Sequence, residues 1–264
     1  MTPTSLWNAF ADRLDPPAFP EAFELMIAAG MSPDDWQKEV LSSTADRLLL
    51  LCCRQAGKST VTAALALHVA SVEQGSLILL LSPSQRQSGE LFRKVSSFLR
   101  AQSSPPEIAS QTALTITFTN GSRIVALPGA EETVRGFSGV RLLVIDEASR
   151  VDDSLYRALR PMLAVSGGRL VAMTTPWGKR GWFHSEWTNG GDTWHRVRVS
   201  AEQCPRISAT FLAEEKRSIG DWWFRQEYQV EFVDNNTQLF SFEEVTDALS
   251  ADVMPLFQPR RREE

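Results

Sequence analysis

The chain has 264 residues, 43% hydrophobic and 22% charged, which excludes a disordered or fibrous protein and leaves room for one large domain or two small ones. With 27 basic against 32 acidic side chains the formal charge is −5, so the overall field does not recruit nucleic acid and any such contact must be local. Three cysteines, two of them adjacent at Cys52 and Cys53, cannot build a disulfide framework, and no pair of CxxC motifs exists to hold zinc. This cysteine usage points to a reducing cytosol. The longest apolar runs, such as residues 48–53, are far shorter than the roughly 20 residues that span a bilayer, and no basic flank precedes an apolar leader. A soluble chain that is not exported is expected, with no membrane partner.

In chain order, residues 1–35 predict short helical pieces punctuated by prolines, with Leu6, Trp7, Phe10 and Leu14 spaced for one helical face. Ser32, Pro33 and two acids predict a helix start, the helix carrying Trp36, Gln37 and Val40. Unbroken apolar runs at 48–53, 77–81, 142–145 and 170–173 predict strands buried on both faces of a mainly parallel sheet. Helical patterns cover 59–72 and 84–101, and residues 114–127 predict a hairpin through Asn120-Gly121. Beyond residue 200 the pattern turns helical, over 208–219 and 221–232, before a sparse tail whose arginines at 260–262 are offset by Glu263 and Glu264. The class is α/β with right-handed crossovers.

Three motifs carry chemistry. The first apolar run leads into Arg54-Gln55-Ala56-Gly57-Lys58-Ser59-Thr60 and then a helix, the strand, loop and helix context of a phosphate loop. There, backbone N–H groups and the helix dipole hold phosphate, Lys58 reaches the β/γ oxygens, and the Ser59 hydroxyl ligates Mg²⁺. The first glycine of GxxxxGK[ST] is replaced by Cys52, so the loop is deviant. The run 142–145 delivers Asp146 and Glu147 to a strand end; Asp146 suits Mg²⁺ and Glu147 suits a general base. A further strand ends in Thr174-Thr175-Pro176, whose hydroxyls are placed to sense phosphate.

Together these residues resemble the ATPase region of the large terminase subunit, the DNA-packaging motor of tailed phages. Trp36-Gln37 is similar to its adenine-reading motif, residues 54–59 to its arginine-bearing deviant Walker A, Ile145-Asp146-Glu147-Ala148 to its Walker B, and Thr174-Thr175-Pro176 to its coupling motif. The resemblance implies a P-loop NTPase of RecA/ASCE-like architecture with a small helical lid, ATP and Mg²⁺ as cofactors, and Gln37 as the adenine contact. Arg135, before Gly136-Phe137-Ser138-Gly139, matches where related motors place an arginine that reaches a neighbouring subunit's nucleotide; Arg54 acting in cis and Arg141 remain alternatives. Implied partners are double-stranded DNA, the portal ring and the small terminase subunit, with a ring of copies, a pentamer in the family, on the procapsid in the host cytoplasm and a monomer in isolation.

The implied division is a helical brace at 1–35, an ATPase core at 36–200, a lid and linker at 201–240 and a tail at 241–264. The nuclease domain that usually follows has no counterpart after Phe240, so no nuclease activity is expected. The competing reading is a helicase-like or other DNA-remodelling P-loop ATPase; a small-molecule kinase is disfavoured by a water-activating glutamate beside the Mg²⁺ aspartate. His68, His184 and His195 share no metal-ligand spacing, and Trp177, Trp182, Trp187 and Trp194 are expected to pack rather than stack on bases.

Overall fold

Strands that are apolar throughout need cover on both faces, and the sheet they form is clothed by helices. The computed structural model describes residues 19–129 and 136–234, together with Val134 and Ala248. Its strands are β1 Arg47–Cys52, β2 Leu77–Ser82, β3 Ile108–Gln111, β4 Thr115–Phe118, β5 Arg123–Pro128, β6 Val140–Asp146, β7 Arg169–Thr174 and β8 His195–Val199. Its helices are α1 Ala22–Ala28, α2 Asp35–Ser42, α3 Lys58–Val72, α4 Gln85–Ala101, α5 Asp153–Leu159, α6 Gly181–Asn189 and α7 Ala209–Glu227.

All eight strands form one sheet in the order β3-β4-β5-β2-β6-β7-β1-β8. The pairs β1·β7, β1·β8, β2·β5, β2·β6 and β6·β7 are parallel, whereas β4 runs against both β3 and β5. The four strands read from apolar runs occupy the centre, and Leu50, Leu79, Val144 and Val171 are fully buried there. Truncating one such leucine to alanine costs about 2–5 kcal/mol. Helix α3 is buried almost all round because α1 and α4 pack on it, which explains why it carries alanines where an amphipathic surface helix would carry charges.

The expected hairpin is β4–β5, turning through Asn120 and Gly121, where the Asn120 amide caps the end of α3 by donating to Ala70 O at 2.9 Å. The start of α4 is capped by Ser84, whose hydroxyl accepts the Gln87 N–H at 3.3 Å. Two expectations need correction. The first helix after residue 32 is capped by Asp34, not Ser32, through a reciprocal box in which the Gln37 side chain accepts the Asp34 N–H at 2.9 Å. The last helical segment stops at Glu227 rather than 232, while the expected break between two helices falls at Gly220, with φ +80°, inside α7. The edge strands β3 and β8, and helices α5 and α6, had no counterpart in the sequence reading. The face of Leu6, Trp7, Phe10 and Leu14, and the tail beyond 234 apart from Ala248, lie outside the described residues.

Packing accounts for three of the tryptophans. Trp182 stacks on Tyr156 with ring centroids 3.9 Å apart and donates to Val151 O at 3.0 Å; Trp187 stacks near Phe183, and Trp194 donates to Glu186 at 2.9 Å. Among the described residues no group of three or more His, Cys, Asp or Glu could hold a metal, and no helix is long and apolar enough to cross a membrane.

Candidate active site

In an open parallel sheet, ligands bind beyond the carboxyl ends of the strands, and three of the motifs converge there. The loop after β1 is anchored at its base by Cys53 N–H donating to Val199 O at 2.9 Å and Arg54 N–H donating to Glu227 O at 3.2 Å. Gln55 has φ +65° and Gly57 has φ +98°. These left-handed residues curl the chain into the concave form that presents consecutive N–H groups to an anion, and Gly57 is the N-cap of α3. Glycine suits this left-handed backbone, and a Cβ at Gly57 would sit 2.8 Å from the Gln37 amide nitrogen, so a larger residue would displace the end of that side chain.

The carbonyl of Ala56 faces the other way. It accepts from Gln37 Nε2 at 3.4 Å and from Arg206 at 2.9 Å. Gln37, the expected adenine contact, is buried beneath the loop, with its amide engaged by Asp34 N–H on one side and Ala56 O on the other. Lys58 donates from Nζ to Thr175 Oγ1 at 3.2 Å. Ser59 and Thr60 follow in the first turn of α3, and Thr60 Oγ1 lies 3.4 Å from Lys94 Nζ on α4.

Asp146 and Glu147 leave the end of β6. Asp146 is only 8% exposed, and its Oδ1 accepts the Glu147 N–H at 2.9 Å. Burial and the neighbouring Glu147 push its carboxyl from 3.8 up to about 6, against the pull of Lys58. Glu147 itself is held at φ +50°, a strained conformation for a non-glycine residue of the kind that concentrates at functional sites. Its carboxylate stands 3.9 Å from Arg150, whose guanidinium lies over the Trp177 ring at 4.1 Å.

The strand between the lysine and the acids is β7. Thr174 is fully buried; its hydroxyl donates to Thr175 O at 2.8 Å and accepts the Ser149 N–H at 3.3 Å, tying the end of β7 to the turn after Glu147. Lys58, Glu147 and Thr175 line one cavity of about 860 Å³, shared with Arg54 and Arg206. Arg54 is largely exposed and pairs with Glu227 at 3.1 Å.

The donor set suits Mg²⁺, a hard cation that prefers oxygen. Asp146 is a buried carboxyl beside a second carboxylate, Glu147, and Ser82 lies beside it on β2, one step past the pair Leu81 and Ile145, with a buried hydroxyl that has no hydrogen-bond partner. Arg141 is not at this site. It sits five residues before Asp146 on β6, about 16 Å away at the strand rise of roughly 3.3 Å per residue, and pairs with Glu73. Arg135 lies outside the described residues.

Arg206 and Asp34 were not singled out from the sequence. Arg206 grips both Asp34 oxygens at 2.8 Å across 172 residues, a pairing that no local pattern reveals. Lys94 was missed for the same reason. Cys53 and Cys204 are free thiols with sulfurs 3.8 Å apart at the base of the loop and of the Arg206 segment.

Comparison with known proteins shows what the chain is similar to. The chain is 22% identical over 227 residues to the terminase large subunit of Escherichia phage T5, covering 82% of this chain and 51% of that protein. It is 25% identical over 258 residues to the terminase large subunit of Thermus virus P23-45, covering 83% and 52%. The chain thus spans about half the length of these curated relatives. Among solved structures, the large terminase ATPase domain of Thermus phage P74-26 superposes with a TM-score of 0.71 at 21% identity, covering 81% of this chain and all of that one. The large terminase of a thermophilic bacteriophage in complex with ATP-γ-S does so with a TM-score of 0.62 at 16% identity, covering 76% and 53%. These likenesses establish the P-loop fold. The family described as terminase large subunit, T4likevirus-type, N-terminal, matches residues 49–247, and the chain belongs to it.

Proposed function

We propose that the chain is the ATP-hydrolysing motor domain of a viral DNA-packaging terminase large subunit, coupling hydrolysis to translocation of double-stranded DNA into a procapsid. The observation that carries this reading is the convergence of Lys58, Thr175 and Glu147 on one cavity at the carboxyl edge of the sheet. The terminase names of its relatives and the nucleotide complexes of the thermophilic bacteriophage enzyme, with ADP and with ATP-γ-S, support it.

In this reading the N–H groups of Gly57, Lys58 and Ser59 and the positive end of α3 receive the phosphates. Lys58 neutralises charge on the β and γ oxygens, and Arg54, with Arg135 from a neighbouring copy, stabilises charge on the transferring phosphoryl group. Glu147 takes a proton from water as the water oxygen bonds to the γ-phosphorus. The bond from that phosphorus to the bridging oxygen breaks, and ADP leaves with phosphate. Ser59 and Asp146 would hold Mg²⁺, which when bound supplies further positive charge at the phosphate oxygens. Gln37 offers the adenine edge the amide donor and acceptor capacity that Asp34 and Ala56 leave over. Thr174, Thr175 and Pro176 transmit phosphate loss toward the lid.

Residues 36–200 act as the ATPase core and 201–240 as lid and linker. The working assembly is a ring of copies, a pentamer by family resemblance, on the portal with the small terminase subunit, in the cytoplasm of the infected host. The test is the ATPase rate measured against protein concentration, with and without duplex DNA. The motor reading expects the rate per subunit to rise with both. A rate indifferent to both overturns it.

A further inference from the structure

A phosphate loop can present its N–H groups inward only if its carbonyls are held outward, and a carbonyl left without a partner in a part-buried loop destabilises that form. Here the burden falls on Ala56 O. Arg206 donates to it at 2.9 Å with the same terminal nitrogen that reaches Asp34 Oδ2 at 2.8 Å, while the other terminal nitrogen reaches Asp34 Oδ1 at 2.8 Å. A guanidinium can make this planar three-point contact; an ammonium cannot match its fixed geometry. Asp34 is in turn the N-cap of α2, and the Gln37 side chain of its capping box reaches the same Ala56 carbonyl. The node therefore joins α2, the phosphate loop and the segment after β8.

Its position is also particular. Arg206 lines both the 860 Å³ phosphate-side cavity and a second cavity of about 570 Å³, bordered by Met31, Pro33, Gln37 and Pro205, so it stands where the two meet. We propose that Arg206 is a positioning residue of the nucleotide site: clamped by Asp34, it holds the Ala56 carbonyl outward and so keeps the phosphate loop in its anion-receiving form. The inference rests on the nucleotide reading of the cavity. It assigns Arg206 an effect on nucleotide capture, exerted through the loop and not by direct contact with ATP.

The test is steady-state ATP hydrolysis by Arg206→Ala, Arg206→Lys, Asp34→Asn and the Arg206→Ala/Asp34→Asn double variant, with thermal denaturation run alongside. Arg206→Ala is expected to raise KM about tenfold or more, with kcat falling less than about threefold, the pattern of lost binding and not of lost chemistry. Arg206→Lys stays within about threefold of Arg206→Ala, because charge alone does not rebuild the clamp. Asp34→Asn, the milder change should Arg206→Ala fail to fold, raises KM in the same direction. The double variant is no worse than Arg206→Ala, since both changes break one node. A lower melting temperature with unchanged KM, full rescue by lysine, or additive losses in the double variant would each overturn the inference. Lys58→Ala separates it from the nucleotide reading: wild-type hydrolysis by Lys58→Ala sinks that reading, whereas an inactive Lys58→Ala beside an unchanged KM in Arg206→Ala sinks only the role of Arg206.

Discussion

The Lys58 ammonium and the Thr175 hydroxyl are hydrogen-bonded at 3.2 Å, which links the loop after β1 to the residue just beyond β7. The link follows from strand order: β7 lies between β1 and β6, so the end of β7 is the nearest fixed point to a lysine that must also face the acids of β6. Replacing Thr175 with valine keeps the shape and removes the acceptor. We expect kcat for ATP to fall about 10- to 100-fold, the scale of one hydrogen bond to a charged group, with Thr175→Ser close to wild type. Steady-state kinetics on the two variants checks this, and a fully active Thr175→Val would remove the link from the mechanism.

Asp146 makes the site costly to fold. Its carboxyl is raised from 3.8 to about 6 by burial and by Glu147, so the folded state holds the proton more tightly than the unfolded chain. The sign follows: stability from this group is complete below about pH 4 and is lost as pH rises through about 6, a difference of roughly 3 kcal/mol. Asp146→Asn, which still accepts the Glu147 N–H, should therefore melt several degrees higher than the wild type at pH 7.5 without added metal. The gain should vanish near pH 4. Equal melting temperatures at pH 7.5 would count against it.

Gly57 is constrained twice, by φ +98° and by the 2.8 Å approach of a Cβ to the Gln37 amide. Gly57→Ala should cost about 1–3 kcal/mol and lower the melting temperature accordingly. Adding Gln37→Ala relieves the contact and not the backbone strain, so it should not restore the wild-type value. Full recovery in the double variant would place the whole cost in the side-chain clash.

The legible part of this molecule is the part whose chemistry is local. Strands β1, β2, β6 and β7 show as unbroken apolar runs because helices cover both their faces, and the candidate motifs stand directly at the ends of β1, β6 and β7. β8 reads His-Arg-Val-Arg-Val and β3 is exposed along its length; edge strands carry polar residues, and neither yields an apolar run. The Asp34 cap was displaced by two residues because Ser32 and Asp34 both suit the position, and only the reciprocal contact with Gln37 decides between them. Arg206, one of 22 arginines, has nothing in its neighbourhood to mark it, since its partners are Asp34 and Ala56, which are 172 and 150 positions away.

The strained backbone of Glu147 and its place on the cavity wall are the grounds for proposing it as the general base. The most direct measurement is therefore nucleotide binding and Mg·ATP turnover by Glu147→Gln, made on the same preparation. A nucleotide Kd within about threefold of the wild type is expected, with hydrolysis slower by about 10²-fold or more, the scale of general-base removal. Turnover at the wild-type rate by Glu147→Gln would contradict the general-base role.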